Sequence, residues 1–284
     1  MASFDGLIQR PLAPSDIDGG AALSADVGWN QVPADWRLML ERGEGIAVAD
    51  AMGNVVATAL THALGSFGWI SMVLVARAYR RRGIATDLIN RCVATLKQKG
   101  MTPGLDATEA GRLVYEPLGF QPVYALARRE ARIRRLADGP RAVTRPVQTG
   151  DLARIAAYDA GAFGLDRAHI LRDLSARAPA LVHVAESGGA IRGFVLGRDG
   201  LRATQIGPLM ADDPETAIGL ARAALGGING AVYIDTLDAQ GELNSYLAAC
   251  GFSVQRGFTR MLVGRTEPFD DPRRSFAIAG PELA

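Results

Sequence analysis

Two cysteines, Cys92 and Cys250, and three histidines, His62, His169 and His183, are all that 284 residues offer of the usual soft metal ligands. Neither cysteine stands in a Cys-x-x-Cys pair, so neither a disulfide framework nor a zinc site is indicated, and the histidines are too scattered to count as ligands. No metal is expected. An excess of one charge is missing too, because 31 Lys plus Arg face 30 Asp plus Glu. No overall field would draw nucleic acid or an anionic membrane, so an anionic ligand has to be met locally. Apolar runs stay well short of the roughly 18 residues that cross a bilayer. Met1-Ala2-Ser3-Phe4-Asp5 has no basic stretch leading into an apolar one. A soluble, cytoplasmic protein is the expectation.

What is present is a hydrophobic content of 48%, enough over this length for two ordinary cores. An internal repeat gives the same number. Arg10-Pro11-Leu12 followed by Asp16-Ile17 recurs, shifted by 135 residues, as Arg145-Pro146-Val147 followed by Asp151-Leu152. Val48-Ala49-Asp50 with Gly53 and Val55-Val56-Ala57 recurs as Val184-Ala185-Glu186 with Gly189 and Ile191-Arg192-Gly193, which reads as a hairpin in each half. Tyr115 with Gly119-Phe120 recurs as Tyr246 with Gly251-Phe252. A near-constant shift across three separated matches points to a duplicated unit.

Within the first unit the pattern reads strand, two helices around Asp16 to Arg42, three strands to about Val75, a helix, a strand ending near Asp106, a short helix and a last strand. This is a mixed α/β plan. The helix from Ile84 to Lys99 is the best defined: Leu88, Ile89, Cys92, Val93 and Leu96 share one face, and Gly100 ends it. The arginine-rich stretch with Asp138-Gly139-Pro140 suits a linker. The expected boundaries are residues 1–130, a linker at 131–144, a second domain at 145–266, and a tail at 267–284 lying on the surface, since Pro268, Pro272 and Pro281 interrupt it.

Before that helix stands Tyr79-Arg80-Arg81-Arg82-Gly83-Ile84-Ala85-Thr86, itself preceded by the strand-like Trp69-Ile70-Ser71-Met72-Val73-Leu74-Val75. A strand feeding an arginine-glycine loop that opens a helix is suited to anions. The first-turn N–H groups lack partners, the helix dipole adds positive charge there, and arginines add bidentate contacts. In the second unit the aligned segment is Asp212-Asp213-Pro214-Glu215, with Glu215 where Arg80 stands and Ile218 where Gly83 stands. Its charge would repel a phosphate, so a single anion site is expected, in the first half.

Arg80-x-x-Gly83-x-Ala85 resembles the pyrophosphate-binding signature of the GNAT superfamily of N-acetyltransferases. Leu105-Asp106-Ala107-Thr108 followed by Tyr115-Glu116-Pro117-Leu118-Gly119-Phe120 resembles that superfamily's closing strand, tyrosine-bearing helix and Gly-Phe. The resemblance covers most of residues 7 to 130 and, in strand order, the second half, as in bacterial proteins with two GNAT domains in tandem. It implies two mixed, mostly antiparallel twisted sheets flanked by helices, with acetyl-CoA as co-substrate and a small-molecule amine as acceptor. The amine would attack directly in a ternary complex. Backbone groups of Val73, Leu74 and Val75 would hold the pantetheine arm and thioester oxygen, and Arg80, Arg81, Arg82, Gly83, Ile84, Ala85 and Thr86 the phosphates. Thr108 falls where many relatives have a cofactor-binding asparagine. Tyr115 is the candidate general acid, while Glu109, Asp106 and Asp26 are candidate general bases. Trp29, in the lip Asp26-Val27-Gly28-Trp29-Asn30-Gln31 between the first two helices, is a candidate substrate contact together with Asp26. A monomer, with its halves paired like two subunits, is favoured over a homodimer. A non-catalytic acyl-CoA-binding or sensory protein is the alternative.

Overall fold

The computed structural model describes Phe4 and residues 6–134, 136–138 and 143–284, so the Gly139-Pro140 part of the expected linker turn and most of the first five residues lie outside it. In the first half, β1 (Ile8–Pro11) leads into α1 (Ile17–Asp26) and α2 (Pro33–Glu41). The chain continues through β2 (Gly43–Ala49), β3 (Val55–Leu64), β4 (Phe67–Val75), α3 (Ile84–Gln98), β5 (Thr102–Thr108), α4 (Glu109–Tyr115) and β6 (Phe120–Arg132). The second half repeats this order: β7 (Thr144–Pro146), α5 (Asp151–Phe163), α6 (Ala168–Arg177), β8 (His183–Ser187), β9 (Ala190–Arg198), β10 (Thr204–Ala211), α7 (Pro214–Leu225), β11 (Ala231–Leu237), α8 (Gly241–Ala249) and β12 (Ser253–Val263). A short β13 (Ser275–Ala277) follows. The mixed α/β plan holds, and only β4–β5 and β10–β11 pair in parallel among the described strands. No described helix is long and apolar enough to cross a membrane.

The repeat holds down to single atoms. Arg10 clamps Asp16 with bonds of 2.5 and 2.7 Å, and Ala13 N–H donates to the same carboxylate at 2.8 Å. Arg145 clamps Asp151 at 2.6 and 3.1 Å, with Gln148 N–H donating at 2.8 Å. In each half a bidentate pair and a backbone donor fix the turn from the first strand into the first long helix.

The halves share one thirteen-stranded sheet in the order β1-β2-β3-β4-β5-β12-β6-β11-β13-β10-β9-β8-β7. β12, the last long strand of the second half, lies beside β5 of the first, and β6, the last of the first half, lies beside β11 of the second. Each half has therefore exchanged its last strand with the other. Two equivalent buried ion pairs lock the exchange: Arg260 of β12 grips Asp106 of β5, and Arg128 of β6 grips Asp235 of β11, both with paired bonds of 2.8 to 2.9 Å. Arg260 also lies over the rings of Trp69 and Tyr124.

Helices cover both faces. The predicted apolar face of α3, including Leu88, Ile89, Cys92 and Leu96, packs on one face of the first half with Ile70, Leu105 and Phe120. On the opposite face α1 and α2 form one core with α5 and α6, so Trp36, Met39, Ile155 and Leu174 belong to a single cluster spanning both halves.

The expectation of a surface tail is wrong. Phe276, Ala277, Ile278 and Ala279 are buried, and β13 pairs with both β10 and β11. Phe269 packs against Phe67 with ring centroids 4.7 Å apart and edge-on against Phe163 at 5.2 Å, and Leu283 and Ala284 sit in the shared core. The prolines break secondary structure without keeping the segment out of the core, because burial of these apolar side chains decides the path.

Candidate functional site

The first half's cleft follows from two local features of β4. The strand pairs with β5 only at Phe67, Gly68 and Trp69, while β5 pairs along its other edge with β12 from Gly104 to Thr108. Further along, one extra residue is inserted opposite Ala59, where the β3–β4 register shifts, and Met72 takes a left-handed φ of 51°. Thr58 Oγ donates to Met72 O at 2.8 Å and holds that conformation in place. The strands splay, and the β4 edge from Ile70 to Val75 faces a cavity of about 600 Å³.

Val73, Leu74 and Val75 line this cavity, with Arg80, Arg81, Gly83, Ile84, Ala85 and Thr86 at one end. Gly83 opens α3 with φ 79°, a conformation glycine takes at no steric cost, and no side chain caps the helix. Its first N–H groups thus face the cavity without an internal competitor. Arg80 is fixed by one bond from Nε to Val75 O at 3.0 Å, which leaves the rest of its guanidinium for an anion. Arg82 is turned away: it bonds Ala78 O at 3.3 Å, stacks on Tyr79 and does not line the cavity.

Tyr115 also lines the cavity. Its ring packs against Phe120 at 5.9 Å, and burial pushes its phenol up to about 12. Gly111 makes that placement possible, since a Cβ there would lie 2.9 Å from the Tyr115 ring. Pro117 falls in the 3-10 turn after α4 and leaves the helix intact. Thr108 lines the cavity and also caps α4, its Oγ accepting from Gly111 N–H at 3.2 Å.

The base candidates fare differently. Glu109 is exposed in the first turn of α4 and Asp26 is exposed at the end of α1, and neither lines the cavity. Asp106 does line it, but both of its oxygens are held by Arg260, so it serves the strand exchange. Trp29 lines the cavity while also packing on the shared core. Its neighbour Asn30 bonds the β9–β10 turn through Ala203 O and the N–H groups of Arg202 and Ala203, which ties the lip to the second half.

Several lining residues escaped the sequence reading because they come from the second half or from the exchanged strand of the first: Arg128 on β6, Arg256 and Phe258 on β12, and Pro281 and Glu282 of the tail. Pro281 O accepts from Trp69 Nε1 at 2.9 Å. Glu282 is 3% exposed, with Oε1 bonded by Arg198 and Oε2 without a partner. Burial raises its carboxyl above the ordinary range against the opposing pull of Arg198. The signal that could have revealed this segment is the apolar run Phe276-Ala277-Ile278-Ala279, short and unbroken like a buried strand.

The second half has the same splay between β10 and β11, but β13 lies in it. Its helix α7 is capped by Asp213, whose carboxylate accepts from Thr216 N–H at 2.8 Å. Both features of the open cleft are thereby cancelled.

An uncapped helix start, a free strand edge and a cavity between them are the features expected from the family that the sequence resembles. One model of the acetyltransferase (GNAT) family matches residues 23–120, and one of an acetyltransferase (GNAT) domain matches residues 155–277. The chain belongs to the GNAT-type N-acetyltransferases and carries two GNAT domains in tandem. It is 22% identical over 254 residues to the uncharacterized N-acetyltransferase YitH of Bacillus subtilis, covering 89% of each chain. Many solved structures share its fold, among them the following two. A candidate acetyltransferase of Pyrococcus horikoshii matches with a TM-score of 0.80 at 23% identity, over 100% of this chain and 98% of that one. A tandem GNAT protein from the clavulanic acid biosynthesis pathway matches at 0.62 and 15%, over 90% and 98%.

Proposed function

We propose that the protein moves an acetyl group from acetyl-CoA to a primary amine of a small molecule, by direct attack, at one site in the first half. Residues 1–130 carry the cofactor site, 131–144 link the halves, and 145–266 form the second domain. The observation that carries this reading is the contrast between the uncapped, glycine-opened start of α3 on an open cleft and the Asp213-capped start of α7 on a filled one.

Acetyl-CoA supplies an activated acyl group. Arg80, Arg81 and the N–H groups of Gly83 to Thr86 would hold its phosphates. The unpaired β4 edge at Val73 to Val75 would hydrogen-bond the pantetheine arm and the oxygen on which charge develops. Tyr115 keeps its proton at neutral pH, which supports a hydrogen bond from it to the departing sulfur. The exchanged strands pair the two halves as two subunits would, which supports action as a monomer.

The test is isothermal titration with acetyl-CoA, alongside a double variant, Arg80→Glu with Gly83→Ile, that copies the second half's loop. One equivalent bound by the native protein and none by the variant is the expected result. No binding by the native protein, or binding that survives the exchange, overturns the reading.

A further inference from the structure

Outside the phosphate loop, the cavity lining includes polar atoms that have no protein partner. Gln31, 5% exposed, has its Oε1 unpaired, and Glu282 has its Oε2 unpaired; both residues line the cavity. Leaving two buried acceptors unmet is unfavourable unless a donor arrives. Arg256 lines the same cavity and makes no hydrogen bond or ion pair with any described residue. Its position is costly, because its strand partner is Arg128 and like charges directly opposite each other on a sheet repel. Arg128 is spoken for by Asp235, so of the two it is Arg256 whose guanidinium is left free. Two unmet acceptors and one unmet cation ask for a ligand with a donor at one end and an anion at the other.

Building on the transferase reading, we infer that the acceptor is a small zwitterion of the amino-acid class, its amine held by Gln31 Oε1 and Glu282 Oε2 and its carboxylate by Arg256. Phe258, two residues from Arg256 on β12, and Trp29 supply the apolar walls for a side chain. Glu282 also takes the proton. The ammonium gives one proton to Glu282 Oε2, the freed amine nitrogen bonds to the acyl carbon as the carbon–sulfur bond breaks, and a second amine proton leaves with the sulfur as a thiol. Glu282 then returns its proton to solvent. Arg198, Arg128 and Asp35 are the charged groups that face this carboxylate, from β9, β6 and α2. The second domain thus completes the first domain's site through β12 and the tail.

The experiment measures released CoA thiol at saturating acetyl-CoA, with the standard amino acids set against their decarboxylated amines, as in phenylalanine against phenylethylamine. At least one carboxylated member is expected to react, at about tenfold to a hundredfold higher kcat/KM than its decarboxylated partner. Arg256→Gln should erase that preference through KM while acetyl-CoA still binds. Glu282→Gln should lower kcat by about a hundredfold. If acetyl-CoA binds but no amino acid releases thiol, or decarboxylated amines react equally well, or Arg256→Gln leaves the preference intact, the inference is overturned while the transferase reading stands. If acetyl-CoA does not bind, the transferase reading falls first.

Discussion

The two clefts of this chain are built on one plan and differ in what fills them. In the first half β4 and β5 part around a cavity of about 600 Å³, and α3 presents an uncapped start behind Gly83. In the second half β10 and β11 part in the same way, yet β13 occupies the gap and Asp213 satisfies the helix start from within. The scaffold alone does not make a cofactor site. A splayed sheet exposes backbone groups that must be met by something, and the alternatives are water, a ligand or more protein. Tandem duplication allowed each solution once, and the tail that plugs the second cleft delivers Glu282 to the first.

The strongest way to break this comparison is to disturb the two ion pairs that lock the exchanged strands. Asp106→Asn strands the Arg260 guanidinium, which is fully buried, and should cost about 3–5 kcal/mol in denaturant unfolding. Asp235→Asn should cost about as much, because Arg128 is buried as well and each arginine keeps an aromatic ring, Tyr233 at 5.1 Å or Trp69 at 4.8 Å, and a second carboxylate, Glu282 or Asp270. Clearly unequal losses would mean that the two clamps are not equivalent despite their matching geometry.

Opening the plugged cleft comes next. Phe276→Ala removes a side chain that is 1% exposed in the core of the second half and should destabilise the protein by about 3–5 kcal/mol. Thermal unfolding would read it. Acetyl-CoA stoichiometry should stay at one, because vacating the gap leaves Asp213 capping α7 and Glu215 in place of an arginine. A second equivalent bound by this variant would show that the plug alone closes the second cleft.

Legibility in the sequence divides along the same line. The duplicated order, the apolar face of α3 and the arginine-glycine loop were readable because each is local: a period, a capping residue, a motif within a dozen positions. The strand exchange was not, since nothing local to the sequence of β6 or β12 marks which neighbour each takes, and only long-range pairing chooses β5 for β12. Glu109, Asp106 and Asp26 stand in the sequence only as carboxylates that could serve as a base. What separates Asp106 from that role is Arg260, 154 residues away. Glu282 was hidden by its place in a proline-broken segment, where no periodicity marks an inward-facing side chain.

The smallest effect compares the two first turns. Asp16 has one arginine, Arg10, whereas Asp151 has Arg145 and Arg154, with Arg145 also bound to Glu186 at 2.7 Å. Arg145 holds Asp151 down from an ordinary 3.8 to about 2, and Arg10 lowers Asp16 in the same direction. A carboxylate lowered in the folded state contributes stability that is fully present above its unfolded value. That contribution is lost as pH falls through the folded value. Acid should therefore weaken both turns between about pH 4 and pH 2, the second persisting to lower pH than the first. Titration of the two carboxyl carbons by NMR reads this directly. An Asp151 that titrates with or above Asp16 would show that the second arginine adds nothing, in keeping with the modest worth of solvent-exposed ion pairs, and would reduce the difference between the halves to their clefts.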